Sequence, residues 1–108
     1  MTTLHDLTTA MHQMVTALGR YHEGTSQPQT PRNIAVSLAL EAAEVLEHYQ
    51  WREQADPAAL TEELADVALY LLQLAQINGI DLEQAILEKI RYNYTRFGLS
   101  PESDPCKF

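Results

Sequence analysis

The chain has 108 residues, with 15 acidic side chains against 7 basic ones and a formal charge of −8. That length holds one domain, and 45% apolar with 20% charged residues is a globular rather than a disordered composition. The negative balance argues against a general binder of nucleic-acid polymers or anionic membranes, which needs a basic footprint. A small polyanion bridged to acids by metal ions stays open. One cysteine, Cys106, cannot build an intrachain disulfide framework. The opening MTTLHDLTTA has no basic segment followed by an apolar core, and no apolar run approaches the ~18–20 residues that span a bilayer. The expectation is a cytoplasmic protein without a membrane partner.

Apolar spacing is helical almost throughout. Leu4, Leu7, Met11, Met14, Val15 and Leu18 follow the i, i+3, i+4, i+7 rule and predict a helix over about 3–22. The stretch Gly24 to Gln29 reads as a loop. Thr30 with Pro31 is a cap-plus-proline start, and the second helix is expected to run to about Trp51. Asp56-Pro57 repeats the signal for a third helix ending near Asn78, with Gly79 as its stop. Asp81 with Gln84 predicts a capping box and a fourth helix to about Phe97, closed by Gly98. No region reads as a strand. The expectation is an all-α four-helix bundle over residues 1–98, with 99–108 as a flexible C-terminal tail.

The two middle helices are apolar nearly all round. From Ile34 to Leu46 only Ser37, Glu41 and Glu44 are polar. A helix of that kind is buried on most sides, and two flanking helices cannot cover both central ones. A homodimer or homotetramer is therefore expected to complete the core.

Polar stripes carry the chemistry. At about 100° per residue, Asn33, Ser37, Glu41, Glu44 and His48 share one face of the second helix. Glu62, Glu63, Asp66, Tyr70 and Gln73 share one face of the third, and Lys89, Asn93 and Arg96 one face of the fourth. If the middle helices pack antiparallel, Glu41, Glu44, Glu63 and Asp66 converge. At ~6 Å and an effective dielectric of about 20, each carboxylate pair repels by roughly 3 kcal/mol. Several such pairs reach the order of the ~5–15 kcal/mol that holds a small domain together. The cluster must protonate, stay wet or bind cations. All-oxygen ligation selects Mg²⁺, with Mn²⁺ as its substitute. No histidine has a glutamate three residues before it, as a ferritin-like di-iron site requires, and no glycine-rich phosphate loop occurs. A cationic stripe opposite metal-binding acids suggests a phosphate chain as ligand, with Lys89 and Arg96 neutralising its oxygens.

The segment TPRNIAVSLALEAAEVLEHYQW followed by EELADVALYLLQLA resembles the MazG-like, all-α nucleoside triphosphate pyrophosphohydrolases, and among them the dCTP pyrophosphatase branch. The family pattern of Glu-x-x-Glu and then Glu-x-x-Asp falls on Glu41, Glu44, Glu63 and Asp66, and its Lys-x-x-x-Asn element on Lys89 and Asn93. Leu40 stands where MazG proteins often carry a further glutamate. Gln29 occupies the region where the dCTP branch has a histidine. The resemblance implies cleavage between the α- and β-phosphates of a nucleoside triphosphate, with Mg²⁺ on the four carboxylates and Glu41 or Glu44 accepting the proton of the attacking water. It assigns phosphate or sugar contacts to Lys89 and Asn93, to which the cationic stripe adds Arg96, with Asn33 a further substrate-binding candidate. Base stacking falls to Trp51 and Tyr49, and an outer role to Glu47, His48 and Tyr70. The competing readings are a phosphoribosyl-ATP pyrophosphohydrolase and a non-catalytic helical interaction module.

Overall fold

The computed structural model describes residues 1–100, all of its regular structure helical. The helices are α1 (Leu4–Ala17), α2 (Pro31–Glu47), α3 (Pro57–Ile77) and α4 (Leu82–Arg96). The expected tail from 101 on, and Cys106 with it, lies outside the described residues. No helix among the described residues is long and apolar enough to cross a membrane.

Local chemistry sets the helix ends. Thr30 Oγ1 accepts from the Asn33 amide at 3.2 Å, and Asp56 Oδ2 from the Ala59 amide at 3.1 Å, each beside a proline in the first turn. Asp81 Oδ1 accepts from the Gln84 amide, but the expected reciprocal bond is absent, because Gln84 Nε2 donates forward to Glu88 Oε1 at 3.0 Å. The reciprocal capping box forms instead at the start of α1, between Thr3 and Asp6.

Two helices end earlier than their spacing predicts. α1 stops at Ala17 because Gly19 turns left-handed at φ +75°, with its amide donating to the Thr16 carbonyl and the Arg20 amide to that of Val15. These are the two bonds of a Schellman stop. α2 stops at Glu47, followed by short-range amide–carbonyl bonds from His48, Tyr49 and Gln50. Trp51 then adopts φ +67°, which costs a non-glycine residue roughly 1–2 kcal/mol.

α2 and α3 form the main packed pair, α1 lies on α3, and α4 rests chiefly on α1. Met11 and Val15 of α1 meet Leu72 of α3 in the core, with Leu4, Leu69 and Leu82 around them. Ile34 is buried at the start of α2. Each such side chain contributes about 1.5–3 kcal/mol by leaving water. The outer faces of the middle helices stay open in the single chain. Leu40 is 61% and Leu46 73% exposed, and Val36, Leu64 and Leu71 are exposed with them.

Candidate active site

The packing of α3 on α2 brings three carboxylates together. Oxygen atoms of Glu41, Glu44 and Glu63 lie within 4.8 Å of one another. Glu41 Oε2 is enclosed and has no hydrogen-bond partner. Loss of water, then hydrogen bonding to Glu63 and Glu44, then their charges, push the Glu41 carboxyl up to about 7. Burial also raises Glu63, as do its hydrogen bond to Glu44 and the charges of Glu44 and Asp66. The hydrogen bond with Glu41 acts on Glu63 in the opposite direction. Burial and mutual repulsion thus favour keeping a proton within the cluster. His48 Nε2 stands 3.6 Å from Glu63 Oε1.

Asp66 lies one turn beyond Glu63 and is exposed. It bears on the cluster through its charge and is not part of the tight group. Glu47, a turn past Glu44, is also exposed. The three clustered residues form a set of hard oxygen donors holding a carboxylate oxygen without a partner, and such a set suits a divalent cation of the Mg²⁺ or Mn²⁺ type.

A cavity of about 280 Å³ opens between the α1–α2 loop, the first turns of α2 and Tyr70 of α3. Its wall includes Ser37, one turn before Glu41, and Tyr70, one turn after Asp66, together with Arg20, Ser26, Gln29 and Asn33. Asn33 Nδ2 donates to the Pro28 carbonyl at 2.9 Å, which ties the loop to α2. Gln73, only 3% exposed, donates from Nε2 to Gln29 Oε1 at 2.7 Å and to the Tyr21 hydroxyl at 3.4 Å. Gln29 in turn donates to the Gln27 carbonyl at 2.7 Å. Sequence reasoning places Gln73 on the right stripe of α3 but misses these partners, and it misses Arg20 altogether.

The cationic stripe does not join the acids within one chain. Lys89 Nζ lies 4.7 Å from the Tyr92 ring centroid, and the Arg96 guanidinium 5.1 Å from that of Phe97, both on or beside α4. Asn93 sits half-buried between them. Tyr49 and Trp51 do not line the cavity. They stand at the other end of α2, and Trp51 is 94% exposed.

The sequence pattern of the MazG-like family matches residues 36–105. The chain belongs to the MazG-like family. All four acids, Glu41, Glu44, Glu63 and Asp66, fall inside the matched stretch, whereas Arg20, Gln29 and Asn33 precede it. Among relatives of this MazG-like chain, dCTP pyrophosphatase 1 of Rattus norvegicus is 35% identical over 89 residues, covering 72% of this chain and 52% of that protein. The Homo sapiens protein of the same name is 38% identical over 77 residues, covering 62% and 45%. The chain spans about half the length of the curated relatives it matches. The crystal structure of a pyrophosphatase from Archaeoglobus fulgidus superposes with a TM-score of 0.68 at 28% identity, over 87% of this chain and 91% of that one.

Proposed function

We propose that this chain is a divalent-metal-dependent nucleoside triphosphate pyrophosphohydrolase, releasing the monophosphate and pyrophosphate. The observation that carries this reading is the convergence of Glu41, Glu44 and Glu63 around an unpartnered carboxylate oxygen, beside a polar cavity of about 280 Å³. The pyrophosphatases to which it is similar agree in class.

Glu44, Glu63 and Asp66 would hold Mg²⁺ together with Glu41; bound there, the ion neutralises phosphate charge and acidifies a coordinated water. Glu41 is suited to take the proton of the attacking water, because its enclosed Oε2 has no hydrogen-bond partner of its own. The water oxygen bonds to phosphorus as the α–β bridging bond breaks, and the pyrophosphate leaves with that bond's electrons. His48 beside Glu63 orients that carboxylate. Asn33, Ser37 and Tyr70 face the nucleoside. Lys89, Asn93 and Arg96 reach phosphate from a second copy of the chain, and that copy covers the open faces around Leu40 and Leu46. A dCTP preference and a housekeeping role in the cytoplasmic nucleotide pool complete the proposal.

The test is a product assay on a panel of nucleoside triphosphates, with and without Mg²⁺, on the wild type and on Glu41→Gln. Monophosphate and pyrophosphate in equal amounts, lost on chelation and in Glu41→Gln, are expected. Folded protein that cuts no triphosphate in the presence of Mg²⁺ or Mn²⁺ overturns the reading.

A further inference from the structure

The cavity beside the acids has one cationic wall residue, Arg20. Its backbone is pinned by the Schellman stop of α1. It occupies the position after Gly19 where such stops usually carry an apolar side chain packing back on the helix. Here the side chain is half-buried and lines both this cavity and a second one behind the α1–α2 loop. Glu23 shares that second cavity, yet no carboxylate among the described residues pairs with Arg20.

Three neighbouring acceptors each hold one hydrogen bond already. Gln29 Oε1 is taken by Gln73, the Gln27 carbonyl by Gln29, and the Pro28 carbonyl by Asn33. With no ion pair of its own among the described residues, the forked guanidinium of this cavity-lining residue is open to a guest. Position decides which part of the guest they meet. Asn33 and Glu41 are eight residues apart on α2, about 12 Å of helix, and Arg20 lies on the loop side of Asn33. With the triphosphate on the acids, the far end of the cavity receives the base.

We propose that Arg20 reads the nucleobase and selects one with two adjacent hydrogen-bond acceptors on a single edge, an inference that rests on the reading of the acids as the phosphate site. Cytosine offers such an edge at O2 and N3, and guanine at O6 and N7. Adenine and thymine break theirs with a donor. A bidentate arginine discriminates between bases by about 10- to 100-fold, and a lysine has no fork with which to do so. Because Arg20 precedes the segment shared with the family, this selection belongs to the part of the chain outside the family pattern.

The experiment is calorimetric binding of dCMP, dGMP, dAMP and TMP to the wild type, Arg20→Ala and Arg20→Lys, alongside turnover of the four triphosphates. The wild type is expected to favour dCMP or dGMP at least tenfold over dAMP and TMP, and whichever wins names the edge. In both variants the preference falls to within about threefold. Wild type without preference, wild type that binds none of the four, Arg20→Ala that keeps the preference, or Arg20→Lys that keeps it in full overturns the proposal. If no triphosphate is cut but the preference still depends on Arg20, hydrolysis fails and the base-reading role stands. If triphosphates are cut with a preference indifferent to Arg20, the reverse holds.

Discussion

Replacing Glu41 by glutamine should stabilise the metal-free protein, increasingly as pH rises from about 4.5 to 7. A folded Glu41 keeps its proton up to about pH 7, whereas an unfolded one loses it near 4.5. Between those values the folded state binds the extra proton, so folding stability falls as pH rises through that window. Raising the carboxyl from 4.5 to about 7 corresponds to at most ~3.4 kcal/mol at about 1.36 kcal/mol per pH unit. Glu41 is only half-buried, and water screens part of the repulsion, which leaves roughly 1–2 kcal/mol. In a domain of this size that moves the melting midpoint by about 5–10 °C. The assay is thermal unfolding by circular dichroism in chelator at pH 5 and pH 8. Glu41→Gln should exceed the wild type only slightly at pH 5, where folded Glu41 is still protonated, and melt clearly higher at pH 8. Added Mg²⁺ should then raise the wild type alone, by mass action on the folded state. Equal differences at both pH values, or a glutamine variant that melts lower at pH 8, would refute the account of the cluster as mutual repulsion held in place by the fold.

Three other outcomes are expected. Ile34→Ala opens a cavity at a residue 2% exposed and should cost about 2–5 kcal/mol in urea unfolding, with the slope unchanged. Gln73→Leu strands the Gln29 amide oxygen that Gln73 now satisfies. It should cost about 1–3 kcal/mol and loosen the α1–α2 loop, read as faster amide exchange from Ser26 to Thr30. Leu40→Glu with Leu46→Glu places charges on exposed apolar faces and should shift sedimentation toward the monomer while leaving the helical signal intact.

The starts of the helices were legible because caps are local. Thr30, Asp56 and Asp81 each satisfy an amide three residues on, and three residues is a distance a sequence displays. The ends of α1 and α2 were less so. Apolar spacing continues through Leu18 and Tyr49, and only the left-handed turns at Gly19 and Trp51 interrupt it. Glu41 and Glu44 stood out because each is isolated in an otherwise apolar run, and Glu63 followed from its stripe on the third helix. The cavity wall was illegible for the opposite reason. Gln73 meets Gln29 and Tyr21 across 44 and 52 residues of chain, and nothing in the spacing of an amide names a partner so far away. The cationic stripe of α4 was legible as a stripe, but which helix it lies against depends on the α1 contact.

Trp51 is the one tryptophan of the chain, and it stands almost wholly in water at the end of α2. Its ultraviolet emission in the separated chain is that of a hydrated indole, at long wavelength. The base cavity begins at the opposite end of the helix, about 20 Å away, so a nucleotide there leaves this fluorophore in its solvent shell. A blue shift on raising the protein concentration, unmoved by nucleotide, would report subunit association without any label. A shift that follows nucleotide instead would mean that an indole from somewhere in the assembly has been brought to the base.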